Sequence, residues 1–222
     1  PDASGGALRA FYKGMVFTVR PWPETATLES VLFRPEEHPD LPYSAKDEAI
    51  PQFPVYRGGR LFLVNDAGYG VPGVFIGEVV KEHLVPRVIF GSLDTLWKTW
   101  QGKQDAFLRT IGPADKPAPQ GVFLWQDADG DGRAAPGEVT VRTGWRFGAM
   151  WAMRSWPTLR LYAREGDRRL AILEPLAETG APVYDLNAAR FLPLPEEALR
   201  KGFCASAPDL AGNLLVNCGG GG

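Results

Sequence analysis

The sequence predicts an all-β protein built from many short strands, and three observations carry that prediction. Glycine (26) and proline (20) are spread along the whole 222-residue chain, so turn-forming residues recur throughout. Between them stand short runs rich in β-branched and aromatic residues, several alternating apolar and polar. Helical periodicity is sparse. Strands that are numerous, short and separated by turns build a sandwich, a barrel or a propeller.

In chain order the strand-like runs are 15–20, 30–34, 60–65 and 73–80, then 86–90, 121–126 and 138–142, and finally 158–164, 169–173 and 213–217. Helix is expected only at 93–100, about two turns, and at 195–201, where Pro195 stands near the start. Hydrophobic residues make up 45% of the chain and charged residues 23%, the balance of an ordinary soluble globular protein long enough for one sizeable core or two small ones. A formal charge of −2 with scattered Lys and Arg offers no footprint for nucleic acid or an anionic membrane. No apolar stretch approaches the ~20 residues of a membrane span.

The most specific local signal is Asp127-Ala-Asp129-Gly-Asp131-Gly132-Arg133-Ala-Ala-Pro-Gly-Glu138. It matches all five defining positions of a twelve-residue calcium loop, with no acidic ligand missing: Asp at positions 1, 3 and 5, Gly at 6 and Glu at 12. Calcium takes six to eight hard oxygen ligands, and carboxylates at alternate positions of a tight turn converge on one point. Arg133 supplies its backbone carbonyl, water fills the place opposite Ala135, and Glu138 closes the shell. An acidic surface turn is the plainer reading, since Asp-Gly pairs also form turns. The flanks are strand-like rather than helical and no second loop occurs, so the motif predicts an ion-wrapped β-hairpin and a structural ion, not an EF-hand switch.

Cys204 and Cys218 are the only cysteines. They flank a turn between two apolar segments, so a hairpin closing near residue 211 sets them opposite each other as a disulfide requires; two free thiols are the alternative. A disulfide and a weak calcium site together point to an extracellular or periplasmic setting. His38 and His83, the two histidines, lie in polar surroundings with no second histidine at metal-ligand spacing, and read as surface residues. Nucleophile-elbow, phosphate-loop and dinucleotide motifs do not occur. Trp145, Trp151 and Trp156 cluster beside Arg146, Arg154 and Arg160. Exposed, they offer a stacking surface for sugar rings or another ligand; buried, they are core filling. Glu36-Glu37 and Glu196-Glu197 read as solvated pairs.

Four runs share one form, a small or polar residue opening a strand of large apolars that closes on a polar residue. They begin at Arg60, Gly121, Thr158 and Gly212, spaced 61, 37 and 54 residues apart, against ~40–50 for a propeller blade. The turn and strand Asp209-Leu-Ala-Gly212-Asn213-Leu-Leu-Val resembles the Asp-x-x-Gly-Asn-Leu-Tyr-Val element of NHL-type and related bacterial β-propellers. Trp125-Gln-Asp127-Ala-Asp129-Gly-Asp131-Gly132 is similar to a calcium-loop insert of large exported propeller proteins. The resemblance implies residues 55–222 as propeller-like blades, four or five of them, with the loop inserted at 127–138. It leaves 1–54 as an N-terminal blade or irregular extension. Both chain ends read as cuts in a longer polypeptide.

The expected function is therefore a calcium-binding exported β-propeller or partial propeller acting as a scaffold or ligand-binding module for a protein or carbohydrate partner, a reading that leans away from an enzyme without excluding one. One alternative is a propeller hydrolase, lyase or sugar dehydrogenase, with Arg57, Arg60, Asp66, Asp209 and Asn213 lining a central channel. The other is a carbohydrate-binding β-sandwich using the tryptophans. Four-fold repetition of strand order favours a ring, and packed sheets favour the sandwich.

Overall fold

A computed structural model describes residues 8–21, 24–42, 49–65, 73–113, 119–147, 158–165, 168–194, 196, 205–208 and 214–217. The first sheet is an antiparallel meander of β1 (Leu8–Tyr12), β2 (Met15–Pro21) and β3 (Glu24–Val31). The second holds six strands: β4 (Phe53–Arg57), β5 (Arg60–Val64), β6 (Gly73–Val80), β7 (His83–Ser92), β8 (Gly121–Gln126) and β9 (Val139–Thr143). Between β7 and β8 the chain forms α1 (Leu93–Trp100) and α2 (Asp105–Ile111). A four-stranded sheet follows, from β10 (Trp145–Arg146), β11 (Leu161–Glu165), β12 (Arg169–Leu173) and β13 (Arg190–Pro193). The last two strands, β14 (Ala205–Pro208) and β15 (Leu214–Asn217), pair as a hairpin. The protein is mostly β, every pairing among the described residues is antiparallel, and no described sheet closes on itself.

The six-stranded sheet is covered on both faces. Phe62, Val64, Val74, Ile76, Val88, Phe90, Val122 and Leu124 point one way, into a core shared with Trp145, Leu161, Ala163, Ala171 and Leu173 of the four-stranded sheet. Their neighbours Leu63, Phe75, Ile89, Phe123 and Trp125 point the other way, against Val16, Leu32, Phe33, Ile50 and the apolar faces of α1 and α2. This sandwiching explains why β8 reads Gly-Val-Phe-Leu-Trp without alternation: all five residues are buried because neither face meets water. Residues 16–50 contribute to the same core as 61–141.

Helix α1 forms where its periodicity predicts it. Ser92 caps it, its Oγ accepting the Thr95 N–H at 3.2 Å, and Leu93, Leu96 and Trp100 lie on its buried side. Two strand expectations shift. The run 30–34 leaves the strand after Val31, and the Leu32 and Phe33 N–H groups turn to the Gly14 carbonyl at 2.7 and 3.3 Å. The run 158–164 becomes a strand only from Leu161, because Leu159 adopts a left-handed φ of +57°, which no extended strand accommodates. The expected helix at 195–201 lies outside the described residues apart from Glu196.

Among the described residues the sheets have three, six, four and two strands, not equal numbers. The motif strands beginning at Arg60 and Gly121, expected in separate blades, lie as β5 and β8 of one sheet. Layers stacked through shared cores are the observed organisation.

Candidate metal centre

The loop joining β8 to β9 is shaped by its own acidic side chains. Asp127 Oδ1 accepts the Gly130 and Gly132 N–H groups at 3.0 and 3.1 Å. Asp129 Oδ1 accepts the Asp131 N–H at 3.1 Å, and Asp131 Oδ1 that of Arg133 at 2.7 Å. These bonds curl the backbone, and Gly130 and Gly132 take φ of +85° and +71° to permit it. At Gly132 a side chain is excluded twice over, because a Cβ there would stand 3.0 Å from Val85 Cγ1. The outcome is that one oxygen each from Asp127, Asp129 and Asp131 lies within 4.8 Å of the others.

Glu138 is not in that group. It closes the loop instead: Oε1 accepts the Ala128 N–H at 2.8 Å, and Oε2 accepts Trp125 Nε1–H at 3.0 Å and the Ala135 N–H at 3.1 Å. A carboxylate has about four lone-pair directions, so these three bonds leave capacity for a further partner. Arg133, whose carbonyl was the expected ligand at position 7, is exposed. The loop is anchored at two points in the core, through Trp125, fully buried in β8, and Ala134, 7% exposed. Ala134 occupies the place where a paired loop would be met, and packs against the protein's own core.

Two neighbours outside the motif, Arg87 and His38, complete the site, and sequence reading missed both. The pairing of β6 with β7 slips between Ile76–Val88 and Gly77–Pro86, leaving Arg87 as the extra residue of a β-bulge. Bulges tolerate proline and re-aim a side chain. Here the bulge sends Arg87 toward the loop: its Nη1 pairs with Asp127 Oδ2, and its Nε donates to Glu78 Oε2 at 2.9 Å. The Asp127 N–H in turn donates to the Arg87 carbonyl at 3.0 Å. Glu78, with 7% of its side chain exposed, is also paired with Arg60. Burial pushes the Glu78 carboxyl upward, but hydrogen bonds from Arg60 and Arg87 outweigh it and hold the group below its ordinary range. Arg60, Glu78, Arg87 and Asp127 thus form a chain of alternating charge from β5 to the loop.

His38 is the second missed neighbour. Expected at the surface, it stacks on Phe33 at 5.1 Å between ring centroids and hydrogen-bonds the Gly132 backbone. Burial lowers its imidazole from the ordinary value, partly opposed by the Glu37 carboxylate and by that backbone bond.

The remaining candidates are dispersed. Trp145 is 2% exposed and packs edge-on to Phe191 at 5.9 Å, so it fills core and presents no stacking face. Trp151 and Trp156 lie outside the described residues, as do Cys204, Cys218, Asp66, Asp209 and Asn213. Arg57, the register partner of Arg60 in the β4–β5 hairpin, donates to the Glu178 carbonyl at 2.9 Å. A cavity of about 340 Å³ opens beside Ser92, Asp94, Arg146, Phe147 and Arg164, with neither histidine nor cysteine in its lining. No helix among the described residues is long and apolar enough to cross a membrane.

Fold and site define an all-β protein with an acidic loop organised between two adjacent strands. Comparison with protein-family models, curated proteins and solved structures returned no match.

Proposed function

We propose that this chain is a calcium-binding all-β scaffold in which the ion ties the loop at 127–138 to the core. One observation carries the reading: a loop with acid at positions 1, 3, 5 and 12 of the calcium motif gathers three aspartate oxygens within 4.8 Å. The residues fit the ion's chemistry, since every donor is a hard oxygen and Arg133 and Glu138 stand at the motif's remaining ligand positions. The role is structural rather than switching. Strands flank the loop, Trp125 and Ala134 hold it to the core, and among the described residues no helix pair borders it to open on binding. Packing of the six- and four-stranded sheets through one core supports a layered scaffold over a ring of equal blades. Loops at this class of weak site fill where calcium is millimolar, which favours an extracellular or periplasmic workplace. A dissociation constant below micromolar would argue against that setting.

Thermal unfolding with 5 mM calcium (about ten times the dissociation constant of a weak extracellular site) and then with EDTA tests the proposal. Calcium is expected to add about 1.4 kcal/mol of stability, and Asp127→Ala or Glu138→Ala to remove the difference. Identical melting of the wild-type chain in both solutions would refute a structural ion.

A further inference from the structure

We infer that Arg87 sets the affinity of this loop for its ion, acting as a built-in competing cation that Glu78 holds in check. The inference rests on the calcium reading above. Arg87 Nη1 is paired with Asp127 Oδ2, and the same nitrogen lies 3.4 Å from the Gly130 carbonyl. The contact is shielded: 14% of the Arg87 side chain and none of the Asp127 side chain is exposed. A divalent ion entering the cluster therefore meets a fixed positive charge across one carboxylate, with little water between to screen the repulsion.

A guanidinium in this place has two opposed effects. It orients Asp127, which favours binding, and it repels the ion, which opposes binding. Orientation is already supplied by the Gly130 and Gly132 N–H bonds to Oδ1, so removing Arg87 costs little positioning. Repulsion has no such redundancy and is doubled by the charge of the ion. Repulsion wins. Glu78 acts in the opposite direction, because its Oε2 draws the Arg87 Nε at 2.9 Å and offsets the guanidinium's charge. Arg60 competes for that same carboxylate oxygen, so the ion site is coupled to β5 through three side chains.

Isothermal titration of the full chain with calcium chloride alone decides the matter, using Arg87→Gln, Arg87→Lys and Glu78→Gln. Arg87→Gln is expected to bind calcium about tenfold tighter than wild type, equivalent to 1.4 kcal/mol. Arg87→Lys, which keeps the charge, stays near the wild-type value, and Glu78→Gln binds several-fold more weakly. Circular dichroism confirms that each variant is folded; should Glu78→Gln not fold, the two Arg87 variants suffice. With wild type binding normally, weaker binding by Arg87→Gln would show that Arg87 positions Asp127, and unchanged binding that it does not compete with the ion; either would overturn the inference alone. Binding by Arg87→Gln but not by wild type supports it. Absence of binding by both removes the calcium reading and this inference with it.

Discussion

Glu78 shows how one residue's environment becomes a property that can be measured. Its side chain is 7% exposed and held by two guanidiniums, an arrangement that is unfavourable if either partner is lost. Its carboxyl is lower in the folded chain than in the unfolded one, so its contribution is complete above the ordinary glutamate range and disappears as pH falls through the lowered value. Urea unfolding at a series of acid pH values is expected to show this loss, and Glu78→Gln to flatten the profile between those two values while lowering stability at neutral pH. A variant whose stability falls with acid as steeply as wild type would show that other carboxylates carry the dependence. Nothing in Gly-Glu-Val-Val distinguishes Glu78 from a solvated strand residue. Its burial depends on Arg60 and on a bulge formed by a different strand. The loop aspartates are the opposite case, legible because the ligand oxygens lie within five consecutive residues.

At the scale of elements, the hairpin of β6 and β7 turns on Lys81 and Glu82, whose φ values are +47° and +66°. A two-residue turn with both φ positive matches the right-handed twist of its strands and normally selects Asn-Gly. Non-glycine residues there are strained. Lys81→Asn combined with Glu82→Gly should therefore raise stability by roughly 1 kcal/mol, read as a higher urea midpoint at an unchanged slope. A lower midpoint would mean that the two side chains make compensating contacts. The same turn explains a limit of sequence reading. Strands at 73–80 and 86–90 were visible, yet no turn residue marks their connection, so their pairing was not. Helix α2 was missed because its 7 residues span only about two turns, too short a window for Phe107, Leu108 and Ile111 to establish a helical period. Helix α1 was legible because four of its eight residues are buried.

For the whole molecule, the central feature is a sheet with two dry faces. Val122 and Phe123 are both 0% exposed, yet they enter different cores. A strand with one wet face would tolerate a polar residue at one of the two positions. Here Val122→Asp and Phe123→Asp should each unfold the protein or cost more than about 4 kcal/mol, since each buries an unpaired charge. Circular dichroism and urea titration would show it. A mild effect at either site would place that face against water and remove the layered architecture.

The all-β class, the positions of α1 and of most strands, and the acidic loop were determined by the sequence itself. Each depends on a local period or on ligands close together in the chain, and local terms survive without knowledge of the fold. Strand partners, the three-layer stacking, the bulge that aims Arg87 and the burial of Glu78, His38 and Trp145 were decided by tertiary structure. Those features join residues far apart in sequence, Arg87 and Asp127 being 40 positions apart. Their energies arise from dielectric, packing and register, which exist only once the sheets have met.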